Sequence, residues 1–461
     1  SSGVKQLFEI KTRSGRSIKA SANHPFMTIA GWNRVDQLHT QTHIALPRTL
    51  SETSARVSIL SHHELTLLAH LIGDGCVLPR QPIHYTSADR ANLAAVSEAA
   101  QALFGIIPRL VQQENWWHLY LPSPYHLGHG KKHPITLWYQ KLGLSPVHSF
   151  KKILPQAVLG STPSDLAFFL KHLWATDGNI SFSRLPGRKP AGAIYYASTS
   201  KILADQVQHL LLRLGILSTL REVPQRKAGK IYRSNYHVCV QGSAMQIRFL
   251  ETVGCFGARG AIIPDLLTAL RQIDPNPNTD IIPKDIWHSW IKQAKLEAEI
   301  SWRGVSEKME VSYNGSAIFK TGLSRTRLMR IADALTSQSL MSLAQSDLYW
   351  DEIASITPLG EEEVFDATVP GTHNFIANDF IVHNSIEQDA DIVMFIHRED
   401  KQNKDSGRPN VAKILIEKHR NGPTGFVELY FDDKKTTFQS MEKSDFGEFG
   451  TAASGNGSDG F

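Results

Sequence analysis

Asn384 stands in the stretch Val382-His383-Asn384-Ser385, and an asparagine in that setting has a reaction open to it that needs no other molecule. Its side-chain amide can attack its own backbone carbonyl, closing a succinimide and breaking the chain, provided the carbonyl is polarised and the departing amine receives a proton. His383 is a proton donor next to that bond, and Ser385 on its far side carries a hydroxyl able to accept an acyl group. A tripeptide decides nothing alone. This copy also sits where the chain changes character: the apolar run Phe380-Ile381-Val382 ends there, and after a polar stretch a second run opens at Ile392 as though another protein had begun. Two further candidates are Asp74 and Asp177, each in an Asp-Gly pair that ends an apolar helical pattern, 103 residues apart.

The elements that must hold these residues can be read from periodicity. Residues 1–50 alternate as short strands, with Ser14-Gly15 as a turn. From Glu64 to Ile72 the apolar spacing becomes helical, with Leu67, Leu68, Leu71 and Ile72 on one face. A second helix is predicted from Ser164 to Asp177, and a third, strongly amphipathic, over Ser200–Leu214, stopping at Gly215. Residues 265–345 read as polar helices, strand character resumes at Trp350 and continues to Val382, and "DIVMFIH", "AKILIEKH" and "FVELYF" follow as strands. The Gly/Ser-rich end after residue 442 is expected to be disordered.

A chain of 461 residues with 41% hydrophobic content has material for several domains. The formal net charge of +5 conceals an asymmetry, because residues 101–250 hold 18 Lys and Arg against 5 Asp and Glu. That excess is interleaved with Trp116, Trp117, Tyr120, Tyr195 and Tyr196, which favours a polyanionic partner such as DNA over a merely solvated basic face. Cys76, Cys239 and Cys255 lack CxxC spacing and read as reduced thiols, so neither a zinc site nor a disulfide is expected. No long apolar run or signal-peptide pattern is present, and the expected location is cytoplasmic.

The segment "VFDATVPGTHNFIANDFIVHN", Val364 to Asn384, closely resembles the C-terminal splicing motifs of inteins, with Asp366 and His373 at positions those proteins use. Upstream, "SIKASANHPFMT" resembles the intein block whose histidine contacts the N-terminal scissile bond, which maps onto His24. Ser21 stands where that block commonly has Thr; the hydroxyl is kept, and its hydrogen bond is expected to survive. On this resemblance Asn384 is the last residue of an intein and Ser385 the first of its host. "SIEQDADIVMFIHRED" and "KILIEKHRNGPTGFVELYF" resemble the C-terminal end of the RecA-like motor of DnaB-type replicative DNA helicases. The resemblance implies that Arg420 reaches a neighbouring subunit's ATP as an arginine finger and that Lys418 contacts its phosphate; His419 stands where Gln is frequent.

"LAHLIGDGCV" and "HLWATDGNI" resemble the paired motifs of LAGLIDADG homing endonucleases, which are often carried inside inteins. The resemblance makes Asp74 and Asp177 the carboxylates of one Mg²⁺ centre, with Ala69, Gly73, Ala175 and Thr176 small enough for close helix packing. The second copy, with Trp174 before Ala175-Thr176-Asp177, departs from the fuller consensus but keeps its acid. Lys152 matches a basic residue the family places near the active site, with an exposed lysine as the alternative. Residues 301–335 are read either as a helix-turn-helix with Arg325, Arg327 and Arg330 on phosphate or as a plain helical linker.

Together these resemblances imply a multi-domain chain. An all-β Hint (Hedgehog/intein) splicing domain, residues 1–55 and 349–384, is split by an α+β LAGLIDADG endonuclease over 60–264 and a small helical subdomain over 265–348. The C-terminal end of a RecA-like α/β helicase domain follows over 385–442, and a tail over 443–461. No Gly-rich phosphate loop and no Cys before Cys76 are found, so the chain is expected to be a fragment lacking the splicing nucleophile and the ATP-binding half. The implied partners are double-stranded DNA for the nuclease, and single-stranded DNA, Mg-ATP and a homo-hexamer for the spliced helicase. A remnant that holds DNA without cutting it, or the helicase as the sole relevant activity, are the competing readings.

Overall fold

A computed structural model describes residues 3–50, 58–183, 191–227, 229–273, 280–313, 315–365, 369, 374–383, 392–398, 410–419, 423, 425–432 and 437–440. These fall into two units, one ending at the strand Phe380–His383 and the other comprising the strands after residue 391. No described helix is long and apolar enough to cross a membrane.

The two ends of the first unit form one β layer. Val4–Thr12 pairs antiparallel with Ser17–Ser21 on one side and with the long strand Leu348–Glu363 on the other, and that strand also pairs with His43–Pro47. A second sheet runs in the order Asn374–Ala377, Phe380–His383, Pro25–Thr28, Gly31–Arg34. Ile10, Ile18, Phe26, Ile44, Ile353, Phe380 and Val382 make the core between them. Strand alternation puts Ile10 and Thr12 inward and leaves Glu9 and Lys11 at least partly solvated, and an irregularity in the pairing between Leu7 and Phe8 shifts the phase so that Leu7 is buried too.

The region between these ends is an internal repeat. Each half runs helix, strand, strand, helix, strand, strand, and each sheet has the order first, second, fourth, third. The first half begins with His62–Gly73 and uses Gly75–Cys76, His84–Ser87, Arg109–Gln112 and Trp117–Tyr120. The second begins with Pro163–Asp177 and uses Gly178–Ser183, Ala191–Ser198, Ser218–Lys227 and Lys230–Val240. Both halves share one apolar core that includes Leu68, Tyr85, Leu170, Trp174 and Leu211.

The helical subdomain packs elsewhere. Ile286, Trp287, Val305, Leu328, Ile331 and Leu340 form a core that also takes in Ile29, Ala45 and Trp350 of the β layer. Ile263–Arg271, placed in this subdomain by the sequence boundary at 265, instead buries Leu266 and Leu270 in the core of the internal repeat, so the two cores divide after that helix. The second unit is an antiparallel meander of Ile392–Arg398, Val411–His419, Gly425–Asp432 and Thr437–Ser440. Among its described residues no helix accompanies the sheet, so the α/β layering implied for 385–442 is not seen there.

Candidate active sites

Two helices bring Asp74 and Asp177 to a common floor. His62–Gly73 starts with a reciprocal cap, Ser61 accepting from the Glu64 N–H while the Glu64 carboxylate accepts from the Ser61 N–H, and Asp74 is its C-cap. Pro163–Asp177 starts at Thr162 with Pro at its first turn and ends on Asp177 itself. The helices meet closely at their C-terminal ends: a Cβ on Gly73 would lie 2.1 Å from the Thr176 Oγ1. Thr176 turns its hydroxyl back to donate to the Leu173 carbonyl at 2.6 Å, leaving no polar atom stranded in the contact.

The last carbonyls of a helix have no partner within it, and here a cation supplies one at each end. The Lys152 Nζ donates to the carbonyls of Leu71, Gly73 and Gly75 at 3.2, 2.8 and 3.0 Å. Arg259 does the same in the other half, its Nη1 donating to Trp174, Thr176 and Gly178 at 3.0, 2.8 and 2.5 Å. Lys152 was anticipated; Arg259 was not. It lies in no motif, but a search for a basic residue about one repeat after Lys152 would have found it.

Crowding by protein pushes the Asp74 pKa above the usual carboxylate range, the charge of Asp177 pushes it further, and Lys152 and Arg259 pull it back. Desolvation raises Asp177 as well, against the same two cations. Both aspartates nevertheless keep an exposed face, so water reaches them and moderates the repulsion. Burial lowers the Lys152 pKa, and the two aspartates partly restore it. Two like charges held together by the fold suit a divalent cation between them. Among the described residues no cluster of three or more His, Cys, Asp or Glu side chains could hold an ion. Asp74 and Asp177 alone offer two carboxylates, which fit Mg²⁺, a hard cation that completes its shell with water and phosphate oxygens.

Behind the aspartates a polar chain crosses the helix interface. The His70 Nδ1 lies 2.9 Å from the Tyr85 hydroxyl and its Nε2 3.1 Å from the His172 Nδ1. Burial holds His70 neutral, so one of its ring nitrogens donates and the other accepts along this chain. The aromatic residues flagged with the basic segment divide. Tyr196 is fully buried against Trp174 and cannot touch a partner. Trp117 and Tyr120 carry the guanidinium groups of Arg90 and Arg109, at 3.8 and 5.1 Å from the ring centroids, and Tyr195 stacks on His237.

The arginines of the helical subdomain are mostly spent inside it. Arg325 binds Asp280 and donates to the carbonyls of Ala344, Ser346 and Leu348, Arg330 donates to Met309, and Arg327 lies over Trp287. Arg325 therefore caps the chain end after Gln338–Gln345 rather than presenting itself to phosphate.

At the splice end, Phe26 pairs with Val382, which puts His24 and His383 at the same end of one strand pair. The His24 ring meets Phe26 at 5.3 Å, and Trp32 of the neighbouring strand meets the His383 ring edge to face at 4.9 Å. Trp32 carried no signal in the sequence. The Ser21 hydroxyl donates to Asn23 Oδ1 at 2.8 Å. Asp366, His373, Asn384, Ser385 and Arg420 lie outside the described residues, and Lys418 is described only as backbone, opposite Val393.

Residues 1–384 match the Intein splicing domain family, and residues 373–440 match the DnaB-like helicase C terminal domain. The chain belongs to the intein splicing family. The chain is 44% identical over 445 residues to the replicative DNA helicase DnaB of Synechocystis sp., covering 96% of this chain and 50% of that protein. It is 43% identical over 447 residues to the DnaB of Rhodothermus marinus, covering 95% and 47%. The chain thus spans about half the length of the curated relatives it matches. Among solved structures, a mesophilic variant of the homing endonuclease I-DmoI aligns over 42% of this chain and 90% of its own, with 13% identity and a TM-score of 0.29.

Proposed function

We propose that this chain is a self-splicing intein that also encodes a Mg²⁺-dependent, site-specific double-strand DNA endonuclease, set within a replicative DNA helicase subunit of the cytoplasm. The observation carrying the nuclease reading is the paired foot of the two helices, where Asp74 and Asp177 are held together and Lys152 and Arg259 close the helix ends behind them. A bound Mg²⁺ supplies Lewis-acid charge to the scissile phosphate and a polarised water. Asp74 and Asp177 bind and orient that charge, and the outer face of the first sheet, where Arg109 lies over Tyr120, would lie along the phosphate backbone.

Splicing ends, on this reading, at Asn384. Its amide nitrogen forms a bond to its own carbonyl carbon, the bond to the Ser385 nitrogen breaks, and that amine leaves with a proton. His383 is the adjacent donor, with Asp366 and His373 supporting the same step; His24 and Ser21 serve the N-terminal scissile bond. Once the host chain is rejoined at Ser385, Lys418 and Arg420 act on the Mg-ATP of a neighbouring subunit in a hexamer that translocates on single-stranded DNA.

The test is mass spectrometry of the purified chain during incubation. A peptide beginning at Ser385 should appear slowly, and Asn384→Ala should stop its release. Release at an unchanged rate from Asn384→Ala would overturn the splicing assignment.

A further inference from the structure

The nuclease region grips the splicing layer at two turns. The first is Ser14-Gly15, between Val4–Thr12 and Ser17–Ser21. The Ser14 carbonyl accepts from the Leu220 N–H at 2.8 Å and from the Gln208 Nε2 at 3.0 Å. Gly15, at φ +87°, lies so close that a Cβ would come within 2.4 Å of the Leu220 carbonyl oxygen. The second is Asn378-Asp379, which joins Asn374–Ala377 to Phe380–His383. Both residues take positive φ, 49° and 64°, as a two-residue hairpin turn with the twist of its strands requires.

At that second turn the Asp379 carboxylate, which is buried, is held from both sides. The His209 Nδ1, on the amphipathic helix Lys201–Arg213, lies 2.7 Å from its Oδ1. Arg16, 5% exposed, approaches Oδ2 with Nε at 3.5 Å, donates from Nη1 to the Ser14 hydroxyl at 3.1 Å, and leaves Nε and Nη2 without a hydrogen-bond partner. An open cleft of about 440 Å³ lies between the parts, lined by Arg16, Gln208, His209, Asn378 and Asp379 among others. Burial by itself would raise the Asp379 pKa, but His209 and Arg16 outweigh it and hold the carboxylate ionised.

The strand leaving this turn has four residues, Phe380 to His383, and the next residue is Asn384. It pairs along its whole length with the other arm of the hairpin, from Ala377 with Phe380 to Asn374 with His383, and meets Pro25–Thr28 at Val382 with Phe26, so a shift of the turn is carried through both arms to His383. We infer that His209, a nuclease residue, is a positioning residue for the splicing reaction: through Asp379 it fixes the hairpin whose outgoing strand delivers His383 and Asn384. Succinimide closure requires the amide nitrogen to sit against its own carbonyl, and a displacement of about 1 Å far from the chemistry can slow such a step by as much as about 10²-fold.

This inference rests on the reading of Asn384 as the cleaving residue, and the experiment separates the two. Release of the peptide beginning at Ser385 is followed in the intact chain for the original protein and for His209→Ala, His209→Asn, Asp379→Ala and the double variant His209→Ala/Asp379→Ala. His209→Ala should slow release by roughly tenfold. His209→Asn, whose amide can donate from nearly the same place as Nδ1, should restore most of the rate. The double variant should be slowed much less than the product of the two single effects, as expected of two residues acting through one contact. Hydrogen exchange at Ile381 and Val382 should rise in His209→Ala, while DNA cutting is retained. Original-rate release from His209→Ala overturns the inference, as does equal loss of release and cutting in His209→Ala and His209→Asn, which would signal general unfolding. Release that persists in Asn384→Ala instead overturns the underlying assignment of the cleaving residue.

Discussion

Asp74 and Asp177 carry a charge conflict that the fold maintains, and its sign has a measurable consequence. Because the folded protein holds the Asp74 pKa above its ordinary value, the native state binds more protons than the unfolded one, and stability falls as pH rises through that interval. Near neutral pH and without metal, Asp74→Asn should therefore raise Tm, since it removes the repulsion and leaves a neutral side chain of the same shape. Addition of Mg²⁺ should raise the Tm of the original protein more than that of the variant. The same substitution, and Asp177→Asn, should reduce double-strand cleavage by on the order of 10²-fold or more, the rate equivalent of a few kcal/mol of lost charge stabilisation, while DNA is still bound. Calorimetry and a gel cleavage assay check the two halves, and cutting that persists in both variants would remove these carboxylates from the reaction.

At the scale of elements the contact between the two motif helices decides the outcome. Alanine in place of glycine ordinarily favours a helix by up to about 1 kcal/mol. At residue 73 the new methyl would meet Thr176 at 2.1 Å, and overpacking of that kind costs about 1–3 kcal/mol. Gly73→Ala should thus destabilise the protein by up to about 2 kcal/mol and separate the aspartates, so cleavage should fall further than stability does. Chemical denaturation beside a cleavage assay measures both. The His70–His172 pair gives this interface an acid limit. Burial first, then the charge of His172, lowers His70 to about 3, and burial with the nearby Lys171 and His62 lowers His172 to about 4. Unfolding lets both return toward their ordinary value near 6.5. The unfolded chain then binds more protons, so stability is lost as pH falls from that value toward about 4. His172→Asn keeps a donor and an acceptor for His70 but cannot titrate, and its Tm should depend less on pH across that window.

Over the whole molecule, charge separates the working parts. The segment 101–250 holds 18 Lys and Arg against 5 Asp and Glu, so binding of the target duplex should release many counterions. If six to ten phosphates are contacted, affinity should fall by about 10³–10⁵-fold between roughly 50 and 200 mM salt. A titration across that range checks it, and a flat dependence would argue against a phosphate-binding surface. The helical subdomain should add little to that slope. Its Arg325 is committed to Asp280 and to carbonyls at the end of the last helix, so Arg325→Ala is expected to lower stability rather than DNA affinity.

Positions set by their own stretch of backbone were legible from the sequence. The Asp74 and Asp177 motifs each end a helix, and the splicing blocks around His24 and His383 each occupy a strand end, so local spacing carried them. The repeat of the helix ending in Asp-Gly was also visible, though not that both halves continue with the same sheet order. What only the tertiary structure decided are pairings between distant segments. Arg259 became the counterpart of Lys152 because two chain turns return to two helix ends, and His70 met His172 because those helices cross. Tyr196 went into the core, Trp32 came against His383, and His209 reached Asp379. Hydrophobic periodicity fixes which side of an element is buried but not which element covers it. That choice is made by packing, and it brings the helix Lys201–Arg213 against the Asn378-Asp379 turn.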